Sequence, residues 1–366
     1  MAAIFFLAVV ALAILVVINR ERSLKQQADI SNLKVASFFE KLDNNYVRCN
    51  LCPNRCLLVP GQIGLCKARQ NIKGILYSLV YGKVAAVHND PIEKKPLYHF
   101  LPGSKAYSIA TTGCNMSCKF CQNWDISQKF VDEVTAREMT PEQVVDEALK
   151  QGAKSIAYTY SEPVIFFEFM LDTAKLARAK GLKNVMHSNG YIMPEPLAEL
   201  MPYLDAANID LKGMTDQYYT FYTANGRVEP VLDTLKTLKQ HGIWLEVTNL
   251  LVPGGNDSPE DVGKLVSWVK ENLGADTPLH FSRFFPLYKL ENLAPTPYDT
   301  LNQAAAIAQK NGLKYVYVGN IETDKWNNTY CSGGQLAIKR VGYFVMENNL
   351  TQGKCASGEA VAGVWQ

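Results

Sequence analysis

The chain has 366 residues, with 37 lysines and arginines against 35 aspartates and glutamates, a net charge of +2, and 48% hydrophobic and 20% charged residues. So even a balance excludes nucleic-acid binding by bulk electrostatics, which needs a clear basic excess, and no nucleic-acid partner is expected. The composition also excludes global disorder and fits one large domain or two to three smaller ones.

The first eighteen residues, MAAIFFLAVVALAILVVI, are apolar without interruption. As a helix they reach about 27 Å, close to the hydrocarbon thickness of a bilayer. No lysine or arginine precedes the run, and Asn19-Arg20-Glu21-Arg22 is not a small-residue cleavage site. Residues 1–19 therefore read as a transmembrane anchor rather than a cleaved signal peptide. Arg20, Arg22 and Lys25 follow directly. The positive-inside tendency then predicts a single-pass protein of an inner or cytoplasmic membrane, its bulk facing the cytoplasm. Residues 20–45 read as a polar helical linker, with Gln26 to Lys41 as its helix.

Cys49, Cys52, Cys56 and Cys66 follow as CxxC-x3-C-x9-C, which makes residues 46–75 a metal knuckle. Four thiolates saturate either one tetrahedral zinc or a second iron-sulfur cluster, and the spacing does not separate the two. Saturation argues for structure or electron relay rather than substrate activation. Seven of the nine cysteines fall between 49 and 121 in two tight groups, a pattern of metal sites in a reducing compartment rather than of disulfides.

From 76 to 320 short β-rich runs alternate with longer amphipathic ones. The predicted strands are Ala106 to Thr112, Ser155 to Thr159, Asn184 to Ser188, Ala206 to Leu211, Trp244 to Leu251, Leu279 to Ser282 and Tyr315 to Val318. The predicted helices are Pro141 to Gln151, Val164 to Lys180, Glu195 to Met201, Val228 to His241, Pro259 to Leu273 and Thr300 to Asn311. Thr140-Pro141 and Ser258-Pro259 carry N-terminal caps with proline at the first helical position, and Gly181, Gly242 and Gly312 sit where C-terminal caps belong. Such alternation predicts an α/β protein with a parallel sheet, as a full or partial barrel or an open doubly wound sheet. In either form chemistry gathers at the C-terminal ends of the strands.

Directly after the first of these strands stands Gly113-Cys114-Asn115-Met116-Ser117-Cys118-Lys119-Phe120-Cys121-Gln122-Asn123-Trp124. The spacing is CxxxCxxC, three thiolates with no obvious fourth nearby. A cubane held by three protein ligands leaves one iron open to a substrate or cofactor, as the open position of a catalytic metal does.

This motif resembles that of the radical S-adenosylmethionine (SAM) superfamily. More closely, the chain is similar to the radical SAM enzymes of the AmmeMemoRadiSam system, relatives of the pyruvate formate-lyase activating enzymes. The supporting stretches are Cys49-Asn50-Leu51-Cys52-Pro53-Asn54-Arg55-Cys56, Asp90-Pro91-Ile92-Glu93-Lys94-Lys95-Pro96-Leu97 and Cys121-Gln122-Asn123-Trp124. The similarity runs from about Lys41 to the C-terminus and implies a partial (β/α)6-type barrel.

By resemblance, Cys114, Cys118 and Cys121 ligate a 4Fe-4S cluster whose open iron is chelated by SAM, with Phe120 between the last two ligands. One electron then cleaves SAM to methionine and a 5'-deoxyadenosyl radical that abstracts hydrogen from the substrate. The resemblance also places Glu162 near the SAM ammonium, Ser188 and Asn189 near its ribose, and Lys212, partnered by Asp210, near its carboxylate. Asn249 and His280 are further contacts with cofactor or substrate. It implies a one-electron donor such as flavodoxin or ferredoxin, and Memo-like and AMMECR-like partner proteins. The relatives carry two Cys-x-x-Cys pairs in the tail, whereas here Cys331 and Cys355 each lack a second thiol. Residues 321–366 are thus expected to form a degenerate ribbon without metal. The alternative to an enzyme is a non-catalytic, metal-binding, membrane-docked scaffold on the same fold, and only the enzyme would make 5'-deoxyadenosine.

Overall fold

The computed structural model describes residues 33–366. The predicted anchor at 1–19 and most of the predicted linker lie outside the described residues, among which no helix is long and apolar enough to cross a membrane. The described part of the predicted linker helix, up to Lys41, is not helical: Phe39–Lys41 is a strand, paired antiparallel with Val47–Cys49, and Val47–Cys49 pairs in turn with Leu57–Leu58. Phe38, Asn44 and Asn45 all take positive φ, which breaks any helical run here.

One eight-stranded sheet organises the rest. In chain order its strands are β1 (Ala86–Pro91), β2 (Lys105–Ala110), β3 (Ser155–Tyr158), β4 (Lys183–Ser188), β5 (Ala206–Asp210), β6 (Trp244–Leu251), β7 (Leu279–Arg283) and β8 (Val316–Gly319). They lie side by side in that same order. A doubly wound sheet reverses its order at a switch point, so sequential order decides for the barrel-like alternative. β2 to β8 are parallel, while β1 runs antiparallel to β2 as an added edge that the sequence reading did not include.

The strands read as short apolar runs because both faces are covered; all four residues of β3, Ser-Ile-Ala-Tyr, are buried. The covering helices are α1 (Pro141–Lys150), α2 (Phe167–Ala179), α3 (Pro194–Leu200), α4 (Asp216–Thr223), α5 (Val228–Gln240), α6 (Pro259–Leu273) and α7 (Tyr298–Lys310). At α1, the Thr140 hydroxyl accepts from Gln143 N–H while the Gln143 side chain accepts from Thr140 N–H, closing a capping box. α6 buries Val262, Leu265, Val266, Val269 and Leu273, each worth about 1.5–3 kcal/mol of transfer. The helix predicted to start at Val164 starts later, at Phe167; Val164 to Phe166 belong instead to a 3-10 turn, Pro163–Phe166, capped by Glu162.

The tail forms an antiparallel sheet of β9 (Thr329–Tyr330), β10 (Leu336–Val341) and β11 (Phe344–Asn348). Cys331 and Cys355, expected as two stranded thiols, are joined in a disulfide that links this sheet to the C-terminal segment. Arg340 ties the tail to the barrel. Its guanidinium donates to Tyr98 O (2.7 Å) and Thr329 Oγ1 (2.9 Å), lies over the Tyr98 ring, and sits 3.5 Å from the Glu93 carboxylate, both side chains fully buried.

Removing one partner of such a pair leaves the other charged and buried. Arg340→Met should therefore lower the unfolding free energy by about 3–5 kcal/mol, read by denaturant titration. Arg340→Met with Glu93→Gln should recover part of that loss; a double variant as unstable as the sum of its parts would show that the two groups are not coupled.

Candidate active site

The C-terminal ends of the strands open into a cavity of about 350 Å³. Strand register decides which side chains enter it. Asp210, Thr248 and His280 are lateral neighbours on β5, β6 and β7 and all three line the cavity. Successive residues of a strand point to opposite faces. Asn249, one position after Thr248, accordingly turns away from the cavity, and its Nδ2 donates to Leu211 O (2.7 Å) and Lys212 O (3.4 Å). Asn249 thus supports the backbone that carries Lys212 and is not a cofactor contact.

Cys114, Cys118 and Cys121 line the same cavity, on a loop braced from several sides. Asn115 O accepts from Asn54 Nδ2 (2.8 Å) and Asn225 Nδ2 (2.6 Å), and Asn115 Nδ2 donates to Tyr191 O (2.8 Å). Ser117 N–H and Lys119 N–H donate to Thr223 O and Tyr222 O at the end of α4. Gly113 has φ +103°, and a Cβ there would stand 2.3 Å from Cys66 O. Only glycine permits so close an approach between the two cysteine-bearing segments.

Burial pushes all three thiols up, Cys118 to about 12, and the nearby Glu162 carboxylate adds to the effect at Cys114. A thiol so perturbed keeps its proton at neutral pH unless a metal replaces it. Sulfur contacts are sparse. Cys121 Sγ meets Ser127 Oγ at 3.1 Å, and Cys114 Sγ receives Met116 N–H at 3.4 Å and Asn189 Nδ2 at 3.8 Å. Among the described residues no three His, Cys, Asp or Glu side chains are placed to hold a single metal ion. One zinc would draw its thiolates to about 3.8 Å from each other, whereas a cubane sits among wider-spaced thiols around a cavity. The donor set at 114, 118 and 121 fits a 4Fe-4S cluster.

Around the thiols stand the polar groups singled out from sequence. Glu162, 2% exposed, accepts from Ser188 Oγ (2.6 Å), Asn189 N–H (2.9 Å) and Val164 N–H (3.1 Å). It joins the ends of β3 and β4 while capping the turn that follows it. Burial pushes its carboxyl up against the pull of those donors. Asp210 bridges Lys212 Nζ (2.8 Å) and His187 Nε2 (3.0 Å). Burial would raise its carboxyl, but Lys212 and the His187 ring beside it hold it well below the usual range, and Lys212 is held above its own despite burial. Phe120 packs beside this pair, with Lys212 Nζ 5.8 Å from its ring centre.

His280 lies on the cavity wall, but its Nε2 is committed to buried Glu246 at 2.7 Å, and its ring stacks on Tyr317. Glu246 also accepts from Tyr98 N–H, His99 N–H and Trp244 Nε1. His280 is thereby fixed in the cavity floor, its ring oriented by Glu246 and Tyr317.

Several cavity residues went unassigned in the sequence. His187 completes the Asp210 pair. Asn123 donates from its Nδ2 to Tyr160 O (2.8 Å), fastening the cysteine loop to the end of β3. Lys95 pairs with Asp90 (2.7 Å) beneath Tyr160, whose OH also donates to Asp90 (2.6 Å). Burial brings Lys95 down to about 8. The signal was present in Asp90-Pro91-Ile92-Glu93-Lys94-Lys95, a charged run inside a buried segment.

The sequence profile of the Radical SAM superfamily matches residues 108–269. An uncharacterized protein of Methanocaldococcus jannaschii is 50% identical over 309 residues, which are 84% of this chain and 92% of that one. The pyruvate formate-lyase-activating enzyme of Clostridium pasteurianum is 23% identical over 167 residues, 43% of this chain and 66% of that enzyme. Among solved structures, a radical SAM methyltransferase from Sphaerobacter thermophilus matches with a TM-score of 0.47 and 14% identity over 61% of this chain and 68% of that one.

The floor has a pH signature. Burial would raise the Glu246 carboxyl, yet His280, His99 and the backbone donors hold it below its usual range. A depressed carboxyl stabilises the fold above its unfolded pKa and loses that contribution as pH falls through the folded one. Glu246→Gln should cost about 2 kcal/mol at pH 7, a gap that narrows in denaturant titrations below pH 4. A gap independent of pH would refute the charged assignment.

Proposed function

The chain belongs to the radical SAM superfamily and is homologous to pyruvate formate-lyase-activating enzymes, and from that premise we propose that its cavity cleaves SAM reductively and directs the resulting radical at a substrate held against the Lys95 and His280 walls. Enzymes of this superfamily use a 4Fe-4S cluster and SAM, and this chain is one of them. The observation that carries the proposal is the meeting of three high-pKa thiols with Glu162 and the Asp210–Lys212 pair in one cavity.

Cys114, Cys118 and Cys121 would hold the cluster. When bound, it supplies the single electron that splits SAM into methionine and a 5'-deoxyadenosyl radical. The protein's residues position and shield that chemistry. Glu162 is an acceptor suited to the ammonium of SAM, and Lys212 a cation suited to its carboxylate, with Asp210 fixing the lysine's direction. Ser188 and Asn189 sit beside Glu162, where polar contacts to ribose are available. Phe120 and the bonded floor around Glu246 line the cavity below, which limits entry of water toward a radical.

Within the superfamily we assign the chain to the AmmeMemoRadiSam group. The support is the Cys49–Cys56 stretch, the Asp90–Leu97 run and the Cys121–Trp124 ending. A low-potential carrier such as flavodoxin or ferredoxin would supply the electron, and Memo-like and AMMECR-like proteins are the proposed partners. The apolar run at the N-terminus supports a single-pass membrane anchor with the catalytic part on the cytoplasmic side.

Cys118→Ala should abolish 5'-deoxyadenosine formation under reducing, anaerobic conditions, because a cluster with two protein ligands is not retained at this site. Full turnover by that variant would sink the assignment. Deleting residues 1–19 should move the protein from the membrane to the soluble fraction with SAM cleavage intact. A soluble, folded product without cleavage would argue against separating anchor from catalyst.

A further inference from the structure

The four cysteines of the N-terminal segment are not used by the chemistry above, and they meet around one small space. Cys49, Cys52, Cys56 and Cys66 all line a void of about 20 Å³ whose other walls include Leu51, Leu58 and Ile165. Two turns present the thiols. Arg55 N–H donates to Cys52 O (3.0 Å) and Lys67 N–H to Gly64 O (2.9 Å), and Arg55 and Lys67 end these turns at φ of 41° and 63°. A Cβ on Gly64 would stand 3.9 Å from Cys56 Sγ and 3.8 Å from Cys66 Sγ, so those two sulfurs flank one point. Arg69 lines the same void. It is 1% exposed, and while its terminal nitrogens bind Glu168 and Ser37 O, its Nε has no hydrogen-bond partner. A buried guanidinium N–H without an acceptor is costly, and the sulfur of a metal-bound thiolate would serve as one.

Size selects the occupant. A void of about 20 Å³ takes one ion, since a single water-sized sphere already fills about 10–15 Å³. A cubane of four irons and four sulfides has no room there, in contrast to the cavity of about 350 Å³ beside Cys114, Cys118 and Cys121. Four thiolates around one ion match tetrahedral zinc, whose bonds of about 2.3 Å set neighbouring sulfurs about 3.8 Å apart.

We propose that Cys49, Cys52, Cys56 and Cys66 bind one zinc ion, a structural site that holds the N-terminal segment in place behind the cysteine loop of the cavity. Among the described residues no three such side chains already converge on one ion, so binding draws the four thiols inward, and each gives up its proton as zinc takes its place. Zinc saturated by four thiolates has no open position and no redox chemistry, so the site neither receives substrate nor relays electrons. Its effect passes through direct contacts. Cys66 O stands against Gly113, the residue before Cys114. Asn54, between Cys52 and Cys56, donates to Asn115 O (2.8 Å), and Met193 N–H donates to Leu51 O (3.1 Å). Fixing Cys52, Cys56 and Cys66 on one ion therefore fixes the groups that brace the loop carrying Cys114. The zinc site stands without the radical SAM reading of the cavity, and only the bracing of an iron-sulfur cluster rests on it.

The test counts metal in the full chain, purified anaerobically after growth with iron and zinc. Wild type should contain about four irons and one zinc, and Cys118→Ala about one zinc and no iron. Cys118→Ala stripped of metal and titrated with Co²⁺ should develop the thiolate-to-cobalt charge-transfer bands of a tetrahedral four-sulfur site, complete at about one equivalent and erased by about one equivalent of zinc. Cys56→Ser/Cys66→Ser should lose the zinc and keep the iron, but bathophenanthroline disulfonate should strip that iron several-fold faster than from wild type. Asn54→Ala, which keeps the zinc and cuts the brace to Asn115, should release its iron faster as well. About eight irons without zinc in wild type, or no cobalt bands in Cys118→Ala with a native circular-dichroism spectrum, would overturn the zinc site. Iron release from Asn54→Ala as slow as from wild type would overturn the bracing role. Failure of SAM cleavage in wild type with both metals present would instead refute the reading of the cavity.

Discussion

Placing ionisable groups out of water is the constraint on which the rest of this structure depends. Seven thiols, the Glu162 carboxylate and the Asp210–Lys212 pair sit in or beside the apolar interior, and each alone would be driven to its neutral form or exposed. The fold answers each with a partner. Glu162 receives three donors, Asp210 is met by the Lys212 ammonium and a His187 ring nitrogen, and Glu246 has two backbone and two side-chain partners. Protein atoms leave the thiols least satisfied, and iron binds thiolates in preference to thiols. The least satisfied groups are thus the ones whose chemistry needs a metal.

A parallel sheet with sequential order makes this arrangement possible. Every β2–β8 strand ends on the same side, so groups far apart in the chain, from Cys114 to His280, are delivered to one cavity by register alone. Rigidity comes from the loops' own bonds. Asn115 joins four segments through its side chain and carbonyl, receiving from Asn54, Asn189 and Asn225 and donating to Tyr191. This shields the cysteine loop from rearrangement when SAM enters or leaves, a demand that a loop held by its metal alone would meet poorly.

Much of this was legible in the sequence because it rests on short-range rules. β6 and α6 have the predicted ends, Trp244–Leu251 and Pro259–Leu273, since both are long, strongly patterned and, for α6, capped by Ser258-Pro259. The CxxxCxxC loop and the Asp210–Lys212 pair follow from spacing and from strand alternation. What escaped depended on distant partners. β1 is half-exposed and polar, Ala-Val-His-Asn-Asp-Pro, and is a strand only because β2 lies beside it. α4, Asp-Gln-Tyr-Tyr-Thr-Phe-Tyr-Thr, has weak helix formers and is held by the Thr215 cap and by its contacts to the cysteine loop. His280 carried no local sign of Glu246, which lies 34 residues earlier in the chain. Asn249 differs for a simpler reason: one step along a strand reverses the face.

The tail is fastened to the site through buried packing and a buried ion pair. Cys331 and Cys355, without second thiols to make a four-ligand site, are joined to each other and bury their sulfur in a cluster with Tyr98, Tyr315 and Tyr317. That same cluster abuts the floor under the cavity, where Tyr98 and Tyr317 pack on His280. Arg340 reaches from β10 to Glu93, whose neighbours Lys94 and Lys95 line the cavity wall. The tail is therefore coupled to the site, because the buried charge at Glu93 is neutralised only while the tail remains docked.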